Sequence, residues 1–172
     1  NTNGPSVNIS SLDPVRCKGG NDGHATVAVT NGVPPFVYQW SSSGSSGAGA
    51  SNLSAGNYSV TIRDSNNCVT ALAFTVSEPP ALIAYGTTSP ASCFGKNNGE
   101  ANLNVNGGTA PYTFLWSNGQ ISQNMSQLLS GTYSATITDQ NGCITTSTLT
   151  IAQPNALILR TISTPASCYG SQ

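Results

Sequence analysis

The sequence predicts an all-β chain of tandem immunoglobulin-like, Greek-key β-sandwich domains set head to tail. Three observations lead there: an internal repeat of 75–76 residues, period-two alternation in most apolar segments, and a Trp and a Tyr motif at fixed places in each repeat. The repeat is visible by superposition. Ala91-Ser92-Cys93-Phe94-Gly95 returns as Ala166-Ser167-Cys168-Tyr169-Gly170, and Asp64-Ser65-Asn66-Asn67-Cys68 returns as Asp139-Gln140-Asn141-Gly142-Cys143. Such a period is too long for a solenoid unit that must stack to bury its core, and long enough for a small autonomous domain. The predicted organisation is one repeat over residues 1–80, a second over 81–155, and the first strand of a third over 156–172.

The strands follow from alternation. Ala101, Leu103 and Val105 share one face and Asn102, Asn104 and Asn106 the other; Ala25, Val27 and Val29 repeat this one unit earlier. Residues 133–139 and 144–151 continue the pattern, and no helical stripe competes. Residues 121–129 are expected to hold a short strand and a loop. Turns separate the strands: Gly19-Gly20-Asn21-Asp22-Gly23, its counterpart at 95–99, and Asn141-Gly142, which predicts a type I′ hairpin. Seven or so short strands per repeat make a sandwich.

Two motifs narrow the sandwich further. Leu53-x-x-Gly56-x-Tyr58 and Leu128-x-x-Gly131-x-Tyr133 have the form of a tyrosine corner, and Trp40 and Trp116 fall where an immunoglobulin-like third strand carries its core Trp. Aliphatic residues near Val27 and Val60 occupy the positions of the usual cross-sheet disulfide. The expected structural core is therefore Trp40, Tyr58, Trp116 and Tyr133 with aliphatic packing.

Charged residues make up 6% of the chain, against a usual share of about 25%. The net charge of -1 gives no basis for nucleic-acid or electrostatic membrane binding. No segment approaches the ~20 apolar residues of a membrane span, so no membrane insertion is expected in this fragment.

The ordered motifs Cys-x-Gly-x-x-x-Gly-x-Ala, Gly-Gly-Thr-Ala-Pro-Tyr-x-x-x-Trp, Leu-x-x-Gly-x-Tyr and Asp-x-Asn-Gly-Cys resemble the SprB repeat, found in very large cell-surface proteins of Bacteroidetes. The resemblance runs through residues 7–156, with 157–172 as a partial third copy. Repeat one departs from it at Val33-Pro34, in place of the second glycine and the threonine, and at Asn67, in place of the hairpin glycine. The resemblance implies export by the type IX system, exposure at the outer-membrane surface, and a part in adhesion or gliding motility.

The five cysteines fall into two classes. Cys17, Cys93 and Cys168 precede the first Gly-rich turn; Cys68 and Cys143 follow the last hairpin. Disulfides are expected in an extracellular array. Two pairings are open: within repeats, as Cys17–Cys68 and Cys93–Cys143, or across the junction, as Cys17–Cys143. The first must bridge opposite poles of a sandwich about 25 Å long, whereas Cα atoms in a disulfide lie within about 7 Å.

No Gly-x-Ser-x-Gly elbow, carboxylate pair or metal triad is present in the sequence, and no enzyme is expected. His24, the one histidine, has Glu100 at its place in repeat two and reads as an exposed surface residue. Asp64 and Asp139 read as hairpin caps, and as weak calcium candidates at a domain junction; no other cofactor is expected.

Three functions follow for testing. The first is a non-catalytic structural repeat of a secreted adhesin, forming a stiff stalk. The second is a module that itself binds polysaccharide or another cell-surface protein, for which Tyr38, Tyr85, Phe94 and Tyr169 are the surface aromatics. The third is an accessory domain of a secreted enzyme. The Pro-containing junctions at 77–81 and 152–156 favour the stalk, with neighbouring repeats as the first partners.

Overall fold

The computed structural model describes residues 4–41, 45 and 47–163. Cys168 and Tyr169, and most of the strand expected from the third repeat, lie outside them. The described residues are all-β and form two sandwiches in series. In the first, β1 (Ser6–Asp13), β2 (Gly23–Thr30) and β4 (Gly49–Leu53) make one sheet in the order β1-β2-β4. The facing sheet is β3 (Val37–Trp40), β5 (Gly56–Arg63) and β6 (Val69–Val76), in the order β3-β5-β6. The second sandwich repeats this with β7 (Ile83–Ser89), β8 (Gly99–Asn106), β9 (Thr113–Trp116), β10 (Asn124–Leu128), β11 (Gly131–Thr138) and β12 (Ile144–Ile151). Every pairing is antiparallel.

Among the described residues each unit has six strands rather than seven. In the second, residues 117–123 between β9 and β10 are turn and bend, too few to cross the sandwich edge and return. The expected strand within residues 121–129 is β10.

Alternation builds the cores. Ala25 and Val27 of β2 face Val60 and Ile62 of β5 around Trp40; Ala101, Leu103, Ala135 and Ile137 do the same around Trp116. Trp116 is 2% exposed and its indole Nε1–H donates to Ser122 O at 2.8 Å; Trp40 donates to Gly47 O at 3.0 Å. Tyr58 and Tyr133 are half-buried and pack against the two cores from the rim. Their hydroxyls turn outward to donate to Ser54 O at 3.0 Å and Leu129 O at 3.2 Å, closing both tyrosine corners. Phe74, equally half-buried, lies edge-on to Trp40 and stacked on Tyr58. Tyr38 is also packed against the core, and His24 is half-buried on β2 opposite Asp13.

Two turns differ from the sequence expectation. Gly142 (φ 82°) is left-handed and Asn141 is not, so the hairpin is not type I′. Gly142 N–H bonds to Asp139 O, and Asp139 N–H to Cys143 O. This is a three-residue loop, a type I turn followed by one left-handed residue. Asn67 (φ 64°) takes the same role in repeat one, a conformation that Asn tolerates. In the loop before β3, Asn31 and Gly32 match Gly107 and Gly108 in left-handed φ. Asn31 is thus the residue that replaces a glycine, and Val33-Pro34 stands in place of Thr109-Ala110. Gly107 cannot be replaced in the same way, since a Cβ there would lie 1.9 Å from Ala81 O.

Truncating Trp116 to Ala removes a fully buried ring and should destabilise the second sandwich by about 3–5 kcal/mol. Guanidinium melts followed by circular dichroism should show a large drop in midpoint for that unit alone.

Candidate functional site

The site is the junction between the sandwiches, and it is assembled from two turns that the repeats place at opposite ends. The first turn, residues 16–22, closes on itself. Gly20 N–H donates to Cys17 O at 2.9 Å and Arg16 N–H to Asp22 Oδ1 at 3.1 Å. Val15 N–H reaches Ser77 O at 2.9 Å, which fixes this turn at the end of β6. Cys68 sits before the start of β6, a strand length away. At about 3.3 Å per residue the two cysteines of one repeat stand some 25 Å apart.

The structure joins Cys17 to Cys143, with an S–S distance of 2.06 Å and a Cα–Cα distance of 5.6 Å. The intra-repeat set, Cys17–Cys68 and Cys93–Cys143, is not formed, for the reason of length just given. Cys68 and Cys93 are unpaired thiols, the first half-buried and the second exposed.

What brings Cys143 to Cys17 is a buried carboxylate. Asp139 is 5% exposed; its Oδ1 accepts N–H bonds from Asn141 at 2.9 Å and Cys143 at 2.8 Å, and its Oδ2 accepts from Thr109 N–H at 2.8 Å. The hairpin is thus bound to the loop preceding β9. Asn141 then crosses the junction, its Nδ2 donating to Arg16 O at 3.0 Å and to Thr109 Oγ1 at 3.1 Å. Asp64, 4% exposed, binds Asn66, Cys68 and Val33 N–H in the same way. Both carboxylates are surrounded by converging N–H donors, an arrangement suited to an anion and opposed to a cation. Among the described residues, no three His, Cys, Asp or Glu side chains gather for a metal.

Charged groups reinforce the first turn. Arg16 Nε donates to Asp22 Oδ2 at 2.5 Å. That bond, then the Arg16 backbone N–H, holds the Asp22 carboxyl below its ordinary 3.8. Gly19 N–H donates to Glu78 Oε2 at 2.6 Å, and Lys18 forms an ion pair with the other oxygen. The Gly19 bond, then the Lys18 ammonium, holds Glu78 below its ordinary 4.5. Repeat two keeps the geometry with amides: Ser92 N–H to Asn98 Oδ1 at 3.0 Å, and Gly95 N–H to Gln153 Oε1 at 2.8 Å.

Sequence reasoning missed Asn141 as a crossing residue. Its signal was present in the repeated Asp-x-Asn-x-Cys run, but that run read fully as a turn. Of the surface aromatics, Tyr85 and Phe94 are 58% and 60% exposed.

The strand order and the tyrosine corner place both units in the immunoglobulin-like class of β-sandwich. Within that class, the SprB repeat model matches residues 9–45 and 86–121, the same stretch of each sandwich, so each unit is similar to the SprB repeat over that stretch. No curated protein matches the chain. Among solved structures it is similar to the three N-terminal domains of the highly immunogenic outer capsid protein of bacteriophage RB49. That match has a TM-score of 0.49 and 16% identity, covering 87% of this chain and 58% of that one. It is also similar to DIP-gamma IG1+IG2, with a TM-score of 0.48 and 9% identity over 90% of this chain and 100% of that one. A third similarity is to the C-terminal 282-residue fragment of intimin, solved with the intimin-binding domain of its translocated receptor. There the TM-score is 0.42 and the identity 18%, covering 87% and 64% of the two chains.

Two predictions follow. Asp139→Ala strands three part-buried N–H donors, at about 1–3 kcal/mol each. It should lower the stability of the second sandwich and slow closure of the Cys17–Cys143 bond in oxidative refolding, scored by peptide mapping. Acid should act on the first turn of repeat one and spare its counterpart in repeat two. Both carboxyls are depressed in the fold, so their stabilisation is present above the ordinary values and is lost as pH falls from 4.5 through 3.8 and below. Hydrogen-exchange protection at Arg16 and Gly19 should fall over that range, while Ser92 and Gly95, bonded to amides, should keep theirs.

Proposed function

We propose that this chain is a stiff, non-catalytic stalk segment of a very large secreted adhesin, exposed on the outer-membrane surface and acting in adhesion and gliding motility. Residues 1–80 and 81–155 are consecutive repeats, and 156–172 open a third. Cys17 and Cys143 stiffen the junction, and Trp40, Tyr58, Trp116 and Tyr133 support each unit. Neighbouring repeats are the principal partners, and export follows the type IX route of Bacteroidetes.

The observation that carries this reading is the Cys17–Cys143 bond. A tie across a junction restricts one sandwich against the next, which a stalk requires and a free module does not. Asn141 and the short segment 77–82 limit the same motion, since Gly108 N–H also holds Pro80 O at 2.9 Å. A persistent disulfide also suits an oxidising, extracellular setting.

The exposed rings of Tyr85 and Phe94 favour one second reading, a repeat that contacts surface polysaccharide directly. Affinity electrophoresis through polysaccharide gels tests it: retention lost in a Tyr85→Ala, Phe94→Ala double variant supports the binding module.

Small-angle scattering tests the stalk. The oxidised chain should give one narrow interdomain distance distribution, and Cys143→Ser should broaden it while each sandwich stays folded. An unchanged distribution in Cys143→Ser would remove the disulfide as the source of stiffness.

A further inference from the structure

The cleft at the junction has three walls and a volume of about 470 Å³. Cys17 and Lys18 form one, Ala81 and Leu82 the second, and the hairpin Gly142-Cys143-Ile144 the third. The far end of the second sandwich carries a cleft of about 430 Å³ with two of these walls, at the repeat offset. Cys93 and Phe94 stand for Cys17 and Lys18; Ala156 and Leu157 stand for Ala81 and Leu82. Among the described residues there is no hairpin wall. In its place are an unpaired, exposed Cys93 and two bare apolar side chains, Phe94 at 60% and Leu157 at 101% exposure.

The turn that presents Cys93 is already held in the shape of the turn that presents Cys17. Lys96 N–H bonds to Cys93 O at 3.2 Å, and Ala91 N–H reaches Ala152 O at 2.9 Å, as Val15 reaches Ser77. The complementary half is also present, at the other end of the chain. Asp64 holds Asn66 and Cys68 with the bonds by which Asp139 holds Asn141 and Cys143.

We propose that the cleft at Cys93 seats the hairpin of a following copy of this repeat, and that the cysteine of that hairpin closes on Cys93 the same disulfide that joins Cys17 to Cys143. The occupant is identified by the repeat itself: an Asp-x-Asn-x-Cys hairpin whose Asn donates to Ser92 O, as Asn141 donates to Arg16 O. Each repeat then gives its first-turn cysteine to the repeat after it and its hairpin cysteine to the repeat before it, so Cys68 belongs to a preceding copy. The proposal rests on the stalk reading.

The chemistry is thiol–disulfide exchange with a small disulfide such as oxidised glutathione. The Cys93 thiolate attacks one glutathione sulfur, forming a mixed disulfide and releasing one glutathione thiolate. The hairpin thiolate then attacks the Cys93 sulfur and releases the second. Two protein thiols are oxidised and one glutathione disulfide is reduced to two thiols.

The test lengthens the chain by a second copy of residues 81–155, inserted after residue 155, which adds two cysteines. The protein is oxidised with glutathione disulfide and denatured, and its free thiols are titrated with a chromogenic aromatic disulfide. The free-thiol count should equal that of the unextended chain, because the original Cys93 and the inserted hairpin cysteine consume each other. Cys93→Ser should act with opposite signs: it lowers the count by one in the unextended chain and raises it by one in the extended chain. A rise of two on insertion overturns the proposal, as does any result other than a rise for Cys93→Ser in the extended chain. A bond between the two cysteines of the inserted copy would give a fall there, and a Cys93–Cys143 bond would turn the expected fall in the unextended chain into a rise. Peptide mapping of Cys17–Cys143 in the same samples separates the two readings. If that bond is present and the Cys93 bond absent, only this inference falls; if both are absent, the stalk falls with it.

Discussion

The junction depends on where the Asp139 carboxylate sits. A hairpin at the tip of a β-sheet is ordinarily free to sway, and a disulfide partner on another domain would meet it rarely. Three N–H donors converging on one buried carboxylate remove that freedom. They lock the hairpin to the loop before β9, and that loop is itself packed against Ala81 through Gly107. The chain entering the sandwich, the loop and the hairpin thus become one rigid rim. The disulfide joins two surfaces that are each held by their own hydrogen bonds, and Asn141 bonds to Arg16 O beside it. Because an unpaired buried donor is costly, this rim should behave as a unit.

Much of this was legible in the sequence. Alternation at Ala101, Leu103 and Val105 gave β8 and its inward face, because period two is a direct consequence of the pleat. The tyrosine corners could be read because their bond is local, spanning four residues. Legibility failed where an outcome depends on the competition of several weak preferences. Asn141-Gly142 favours a two-residue turn by composition, yet the loop is three residues long, because Asp139 takes the N–H of both Asn141 and Cys143 and sets the loop length. Tyr58 and Tyr133 sit half out because the hydroxyl must reach a carbonyl at the rim. The role of Asn141 could not be read at all, since its partner lies 125 residues away at Arg16 and no local pattern encodes that distance.

The two repeats solve one problem with different chemistry. Arg16, Asp22, Lys18 and Glu78 tighten the first turn with charge, while Asn98 and Gln153 tighten the second with neutral amides. The backbone donors they satisfy are the same. A surface so poor in charge spends several of its ionic groups on this one turn, next to the cysteine that makes the tie. The conserved quantity between copies is the hydrogen-bond geometry, and the charge is a local variation upon it. Low charge elsewhere leaves Thr, Ser and Asn to carry the outward faces of the strands, as in the ladder of Ser134 and Thr148.

Tension offers another view of the Cys17–Cys143 bond. The bond closes a covalent ring over a sequence separation of 126 residues. A pull applied outside that ring travels from Cys17 to Cys143 through sulfur and never enters the polypeptide between them. Strands β2 to β11 lie on the ring and are shielded; only β1 and β12, at its two exits, carry load. At about 3.5 Å per extended residue, the ring withholds roughly 440 Å of contour from the pulling force. A segment wired this way passes a tug through sulfur, and β2 to β11 stay out of its path while β1 and β12 bear it.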